Sequence, residues 1–367
     1  MAEDYIVTEN MTVGYGKVPL IARIEIHVKR GQIVTLIGPN GAGKSTILKS
    51  IIRQMDLLKG AVYLDHASMK DMTEKQIARR MSVLMTERIR PELMTCEDVV
   101  ATGRYPYTGR LGILNQEDHE KVREAMELVH AADLGKRDFM EISDGQKQRV
   151  LLARAICQEP EAIVLDEPTS FLDIRHKLEL LTILKDLVRE KQVAVLLSLH
   201  ELDLAQKLSD YIVCVNGDTI ERCGTPEEIF TSTYITQLYG ISKGSYHAEL
   251  GCLEMEPVKG KPEVFVIGGN GSGIPVYRKL QRRGIPFAAG ILHENDIDYP
   301  VAKALAAEVV SEAPFELIKD ETYERAAALL TSCGQVICCL KDFGPVNEKN
   351  RRLAELGRSR EKNHMMG

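Results

Sequence analysis

The chain has 367 residues, of which 44% are hydrophobic and 27% charged, and a formal net charge of −6. That length suits two or three domains, and the acidic balance leaves no basic footprint for nucleic acid or an anionic membrane. No apolar run approaches the roughly 20 residues that span a bilayer, and the opening MAEDYIVTEN lacks a basic region before an apolar core, so no secretory leader is expected.

Short β-branched runs alternate with amphipathic stretches along the chain, which predicts an α/β protein with a largely parallel sheet. The first strands fall at residues 5–8 and 21–28. QIVTLIG is a buried strand that enters a glycine loop, and a helix follows from Lys44 to about Met55. Residues 86–158 are mainly helical. AIVLD and VAVLLSL are buried strands, YIVCVNGDTIERCG is a hairpin turning at Asn216 and Gly217, and GTPEEIF starts another helix.

Glycine, proline and charge dominate residues 240–262, so the first domain is placed at 1–257 and a linker at 258–262. A second alternation fills residues 263–358. Its strands are VFVIGG, PFAAGIL, FELI and QVICCL, and helices lie between them, which predicts a small doubly wound domain. The polar residues 359–367 are expected to fray. Eight cysteines show no paired spacing, and buried reduced thiols are expected.

GPNGAGKST comprises Gly38, Pro39, Asn40, Gly41, Ala42, Gly43, Lys44, Ser45 and Thr46. It satisfies G-x-x-x-x-G-K-[ST] between a strand and a helix, the context that motif needs. Glycines let successive N–H groups wrap phosphate oxygens, and the helix adds its positive end. Lys44 would reach the β- and γ-phosphates of a bound nucleotide, and the Ser45 hydroxyl would ligate Mg²⁺. AIVLDEP ends in Asp166 and Glu167 on the ligand side of a parallel sheet. Asp166 suits Mg²⁺ through its water shell, and Glu167 suits the polarisation of an attacking water.

The chain resembles the ATP-binding subunits of ABC transporters over about its first 257 residues. The motifs stand in the family's order: the phosphate loop, the signature-like ISDGQ with Ser143, Gly145 and Gln146, VLDE, TSFLD with Asp173, and LSLHELD with His200. The resemblance makes His200 the switch histidine, and it places Tyr15 of VGYGK against adenine. It implies a P-loop ATPase fold with a helical subdomain at about 86–158. It also implies catalysis by Glu167, His200 and Lys44. ATGRYPYTGRLG and GTPEEIF are similar to segments of importers of iron–siderophore, haem and cobalamin complexes.

Two positions depart from that family. Thr86 stands where the family has a glutamine that touches Mg²⁺, with Glu87 next to it. Either Glu87 supplies the missing oxygen or it is a solvated loop acid. Asp144 replaces a signature glycine. In a first helical turn an acid is favourable by about 0.3–1 kcal/mol, so its carboxylate is expected to face helix N–H groups, Lys147 or Arg149.

In the second domain, Gly268, Gly269, Gly271 and Gly273 form a Rossmann-like loop that misses the G-x-G-x-x-G spacing. Glu294 or Asp296 stands about where a ribose-binding acid would lie. The loop leaves three readings open: a nucleotide regulator site, a small-metabolite site, or a docking module without a ligand. His293, Cys338 and Cys339 could suggest a metal, although strand burial accounts for them.

The resemblance implies a homodimer that sandwiches two ATP. Ser143 and Gly145 have no target in their own subunit and face the partner's phosphate. It also implies a separate membrane permease, an extracytoplasmic substrate-binding protein, and a place on the cytoplasmic face of the membrane. The alternatives are a soluble ABC ATPase outside transport, or an ATPase regulated by a nucleotide-sensing second domain.

Overall fold

The computed structural model describes residues 3–85, 91, 93–109 and 112–364. They form two compact units, Met1–Tyr234 and Ile235–Gly367.

In the first unit a six-stranded sheet runs in the order Thr219–Gly224, Tyr211–Asn216, Ile33–Ile37, Ala194–Ser198, Ala162–Asp166 and Met81–Leu84. All pairs are parallel except the edge hairpin. Every residue of Ile33–Ile37, Ala162–Asp166 and Ala194–Ser198 is buried, which is why these strands read as unbroken apolar runs. The hairpin turns at Gly217 and Asp218, one residue later than the motif suggests.

A second, antiparallel sheet is built on Asp4–Tyr15. The expected strand at 21–28 is two strands, Val18–Ile24 and His27–Lys29. The buried Thr8 hydroxyl sits at the break, donating to the Ile24 carbonyl at 3.0 Å and accepting the Ile26 N–H at 2.8 Å. The helix after the glycine loop is Lys44–Ile51, short of Met55 because Arg53 takes a left-handed conformation with φ 61°.

The helical part of this unit contains Cys96–Ala101, Gln116–Leu128 and Asp144–Cys157. Arg104 of GRYPY lies at its centre, only 4% exposed. Its guanidinium donates to Asp118 at 2.9 Å, to Glu159 at 2.9 Å and to the Cys157 carbonyl at 2.8 Å, under the Tyr107 ring. A buried cation holds only when its donors are satisfied in this way.

The second unit has four parallel strands in the order Glu308–Glu312, Phe287–His293, Val264–Ile267 and Gln335–Cys338. Alternate residues of the strands feed two separate apolar clusters. Val264, Val266 and Phe287 enter one, and Phe265, Ile267 and Ala288 the other. That is the period-two signature of a sheet covered on both faces. The unit starts upstream of residues 257–262 because the hairpin Ser245–His247 and Cys252–Glu254 belongs to it. The buried Glu254 carboxylate pairs with Arg278 on the helix Ile274–Arg282. The helix Glu348–His364 continues through residues 359–364, where fraying was expected.

FELI is not a strand. The fourth strand is Glu308–Glu312, and Phe315 and Leu317 are exposed beyond it. Glu312 explains the difference. Its carboxylate accepts the N–H groups of Lys319 and Ala313 and the Thr322 hydroxyl, folding residues 313–319 back to start the helix Asp320–Ser332.

Those bonds, the Lys319 N–H first, hold the Glu312 carboxyl down at about 2. A folded-state value below the unfolded one stabilises the protein above the ordinary value of 4.5, and the contribution is lost as pH falls towards 2. Glu312→Gln is therefore expected to cost about 1–3 kcal/mol at neutral pH. In urea unfolding the gap to the parent chain should close as pH is lowered through that window.

Candidate functional site

The strand Ile33–Ile37 delivers the chain into the loop 38–43. Only glycine suits its two ends. Gly38 has φ 146°, and a Cβ there would stand 2.0 Å from the Val215 carbonyl oxygen. Gly43, at φ 94°, precedes the helix Lys44–Ile51 and turns its first N–H groups towards the loop. Lys44 is 5% exposed, and its ammonium donates to the carbonyls of Gly38 at 2.7 Å and Pro39 at 3.0 Å. Burial pushes its pKa down, and the nearby Glu167 and Asp166 oppose that shift.

One hydroxyl pair organises the acids. Ser45 Oγ donates to Asp166 Oδ1 at 3.0 Å, and Ser198 Oγ donates to the same oxygen at 2.7 Å. Ser198 Oγ also accepts the Glu167 N–H at 3.0 Å. Glu167 has φ 49°, the left-handed region that an L residue adopts only under constraint. Along a regular strand Asp166 and Glu167 would point to opposite faces. The left-handed turn ends that alternation. The Glu167 carboxylate is held by His200 Nε2 and by Ser170 Oγ, the latter at 3.2 Å.

These groups border a crevice of about 600 Å³ lined by Tyr15, Leu20, Asn40, Gly41, Gly43, Lys44, Ser45, Thr46, Glu167 and His200. Tyr15 presents a ring that is 61% exposed, and its hydroxyl meets Thr46 Oγ1 at 3.1 Å. The crevice thus offers a flat aromatic, backbone N–H groups, a buried ammonium and a carboxylate–imidazole pair. That set can hold a polyphosphate and polarise a water molecule beside it.

Ser143, Gly145, Gln146 and Asp173 do not line this crevice. Ser143 caps the helix Asp144–Cys157. Its hydroxyl accepts the Gln146 N–H at 3.3 Å, and its own N–H donates to Gln146 Oε1 at 3.0 Å. Asp144 is the first residue of that helix. Asp173 caps Ile174–Lys191 through the His176 N–H. Thr86 and Glu87 lie outside the described residues. Motif reading missed Ser198 and Ser170. Their signal was slight: a hydroxyl inside an apolar strand two residues before His200, and another three residues after Glu167.

In the second unit, Asp296 accepts the Asn270 N–H and Glu294 accepts the Ser311 hydroxyl. His293 Nε2 meets the Glu316 carbonyl at 2.9 Å, and Cys338 Sγ donates to the Leu340 carbonyl at 3.6 Å.

The ABC transporter family model matches residues 21–170, and the MJ0874 family model matches residues 287–366. The ABC transporter ATP-binding protein MJ0873 of Methanocaldococcus jannaschii is 39% identical over 287 residues, covering 78% of this chain and 99% of that protein. The iron(3+)-hydroxamate import ATP-binding protein FhuC of Bacillus subtilis is 37% identical over 234 residues, covering 64% and 87%. The chain belongs to the ABC transporter ATP-binding proteins.

The fold agrees. The ADP-bound ATP-binding cassette MJ1267 superposes with a TM-score of 0.58 at 21% identity, over 65% of this chain and all of that one. Membership makes this ABC protein an ATPase, and the crevice at Lys44 is the candidate site for its nucleotide. Among the described residues no helix is long and apolar enough to cross a membrane.

Glu167→Gln keeps the shape of the site and removes the carboxylate that is placed to act as a base. It is expected to lower the ATPase kcat by about 10²–10⁴-fold. Nucleotide affinity, read by equilibrium binding of a fluorescent ATP analogue, should stay within about threefold of the parent chain.

Proposed function

We propose that this ATPase energises a membrane importer of metal-chelate complexes, of the iron–siderophore, haem or cobalamin type. It works as a homodimer bound to separate permease subunits at the cytoplasmic face, and an extracytoplasmic binding protein supplies the cargo. The iron(3+)-hydroxamate function of the Bacillus relative and the GRYPY segment support the cargo class.

The dimer rests on one observation. The signature residues Ser143 and Gly145 and the loop residue Asp173 stand apart from the residues that line the ATP crevice. A second copy brings its own Ser143 hydroxyl and Gly145 N–H to the γ-phosphate, and the site is complete only then. ATP thereby becomes the adhesive between the two copies, and its hydrolysis releases them.

Ser45 and Asp166 fit Mg²⁺. They set two hard oxygen donors 3.0 Å apart beside the phosphate loop, and Mg²⁺ is usually held by one or two protein oxygens together with substrate phosphates. Bound there, the ion would shield the charge of the β- and γ-phosphates. The chain's own groups do the rest. Lys44 leaves the loop carbonyls for phosphate oxygen. Glu167, anchored by Ser198 through its N–H, orients and polarises the attacking water. His200 fixes the Glu167 carboxylate and supplies a donor towards the γ-phosphate. Tyr15 supports the adenine ring.

Sedimentation velocity of Glu167→Gln should show monomer without nucleotide and dimer with ATP. Adding Ser143→Arg should abolish the dimer while leaving ATP binding intact. A Glu167→Gln chain that stays monomeric in saturating ATP would overturn the sandwich. The cargo class is checked separately, by ATP-driven uptake of an iron(3+)-hydroxamate complex into vesicles holding the co-purified permease.

A further inference from the structure

The second unit carries a glycine loop that ATP hydrolysis does not use. It follows the strand Val264–Ile267 and leads into the nine-residue helix Ile274–Arg282. The loop lies where the order of the parallel strands reverses, between Val264–Ile267 and Gln335–Cys338. Open α/β sheets bind ligands at such a point, and a crevice of about 420 Å³ opens there beside Gly269, Ser272 and Asp296.

In a dinucleotide-binding loop the N–H groups point at pyrophosphate. Here those of Gly269, Asn270 and Gly273 are taken. Asp298 Oδ2 accepts the N–H of Gly269 at 2.6 Å and of Gly273 at 2.8 Å. Asp296 accepts the Asn270 N–H on both oxygens, at 3.0 and 2.9 Å, and also the Asp298 N–H at 2.9 Å. Asp298 is fully buried.

The glycines fit the same account. A Cβ on Gly273 would stand 2.4 Å from Tyr277 Oη and 2.8 Å from Asp298 Oδ2. A Cβ on Gly268 would stand 2.3 Å from Tyr277 Oη and 2.9 Å from Asp298 Oδ2. These two positions need glycine to admit the chain's own carboxylate and tyrosine. The close approach of an outside phosphate is not required to explain them.

We propose that Asp296 and Asp298 hold, within the chain itself, the anion positions that a pyrophosphate takes in such loops, so that the second unit excludes nucleotides from this loop. A ligand entering the adjacent crevice is one recognised without phosphate. A phosphate brought to the loop would meet two carboxylates at hydrogen-bond distance from the same N–H groups, and like charges that close repel strongly.

The test is isothermal titration of the full chain with NAD⁺ and with inorganic phosphate, before and after removal of each carboxylate. Any phosphate uptake by the loop at Lys44 is common to parent and variants, so the difference between them is the reading. NAD⁺ should give no saturable heat with the parent up to about 1 mM. Asp298→Ala should bind phosphate at least about tenfold more tightly than the parent, through the freed N–H groups at the helix start. Circular dichroism checks its fold. Should Asp298→Ala not fold, Asp296→Ala, on a more accessible side chain, reads the Asn270 position with the same expected gain. Saturable NAD⁺ binding by the parent would overturn the proposal. So would a folded variant whose phosphate affinity equals the parent's.

Discussion

Two hydroxyls on one carboxylate oxygen tie the candidate site together. Ser45 comes from the phosphate-loop helix and Ser198 from the strand before His200, and both donate to Asp166 Oδ1. The three groups belong to three different elements, and each stands at the ligand end of the parallel sheet. Ser198 adds a second duty by accepting the Glu167 N–H. The positions of Asp166 and Glu167 are therefore not independent. A change in the spacing of these strands would disturb both at once. The left-handed backbone at Glu167 persists because this network over-determines it.

The chain contains two strand–glycine loop–helix units with opposite electrostatic fillings. In the first unit the loop closes around a buried ammonium, Lys44, and the crevice beside it is open. In the second unit comparable N–H groups close around buried or half-buried carboxylates. The backbone geometry is similar in principle, since both loops use left-handed glycines to turn N–H groups inward. The side chain that arrives at the loop decides whether an anion is welcomed or already present. A glycine-rich loop is thus a weak signal until the residue that faces it is known.

Much of the first unit was legible because its signals are local and stacked. The glycine loop before Lys44, the apolar strand ending in Asp166 and the strand leading to His200 each follow from a few adjacent residues. Other features depend on remote partners. Arg104 reads as part of a loop motif, yet its burial depends on Asp118 and Glu159, 14 and 55 residues away. FELI has strand-like composition, and Glu312 nonetheless turns that stretch into a capping loop through Lys319 and Thr322. The strand at 21–28 is split by the hydroxyl of Thr8, a residue of a different strand.

The sequence by itself determined the α/β class, and it picked out the glycine loop, the two acids and the histidine as candidates, because each is written in contiguous residues with a required order. Only the tertiary structure decided which groups share the crevice at Lys44 and which do not, and that Ser198 links Asp166 to Glu167. It also decided that Asp296 and Asp298 enter the second glycine loop. The physical reason is the same in each case. A hydrogen bond acts over about 3 Å in space, while its partners can stand any distance apart along the chain.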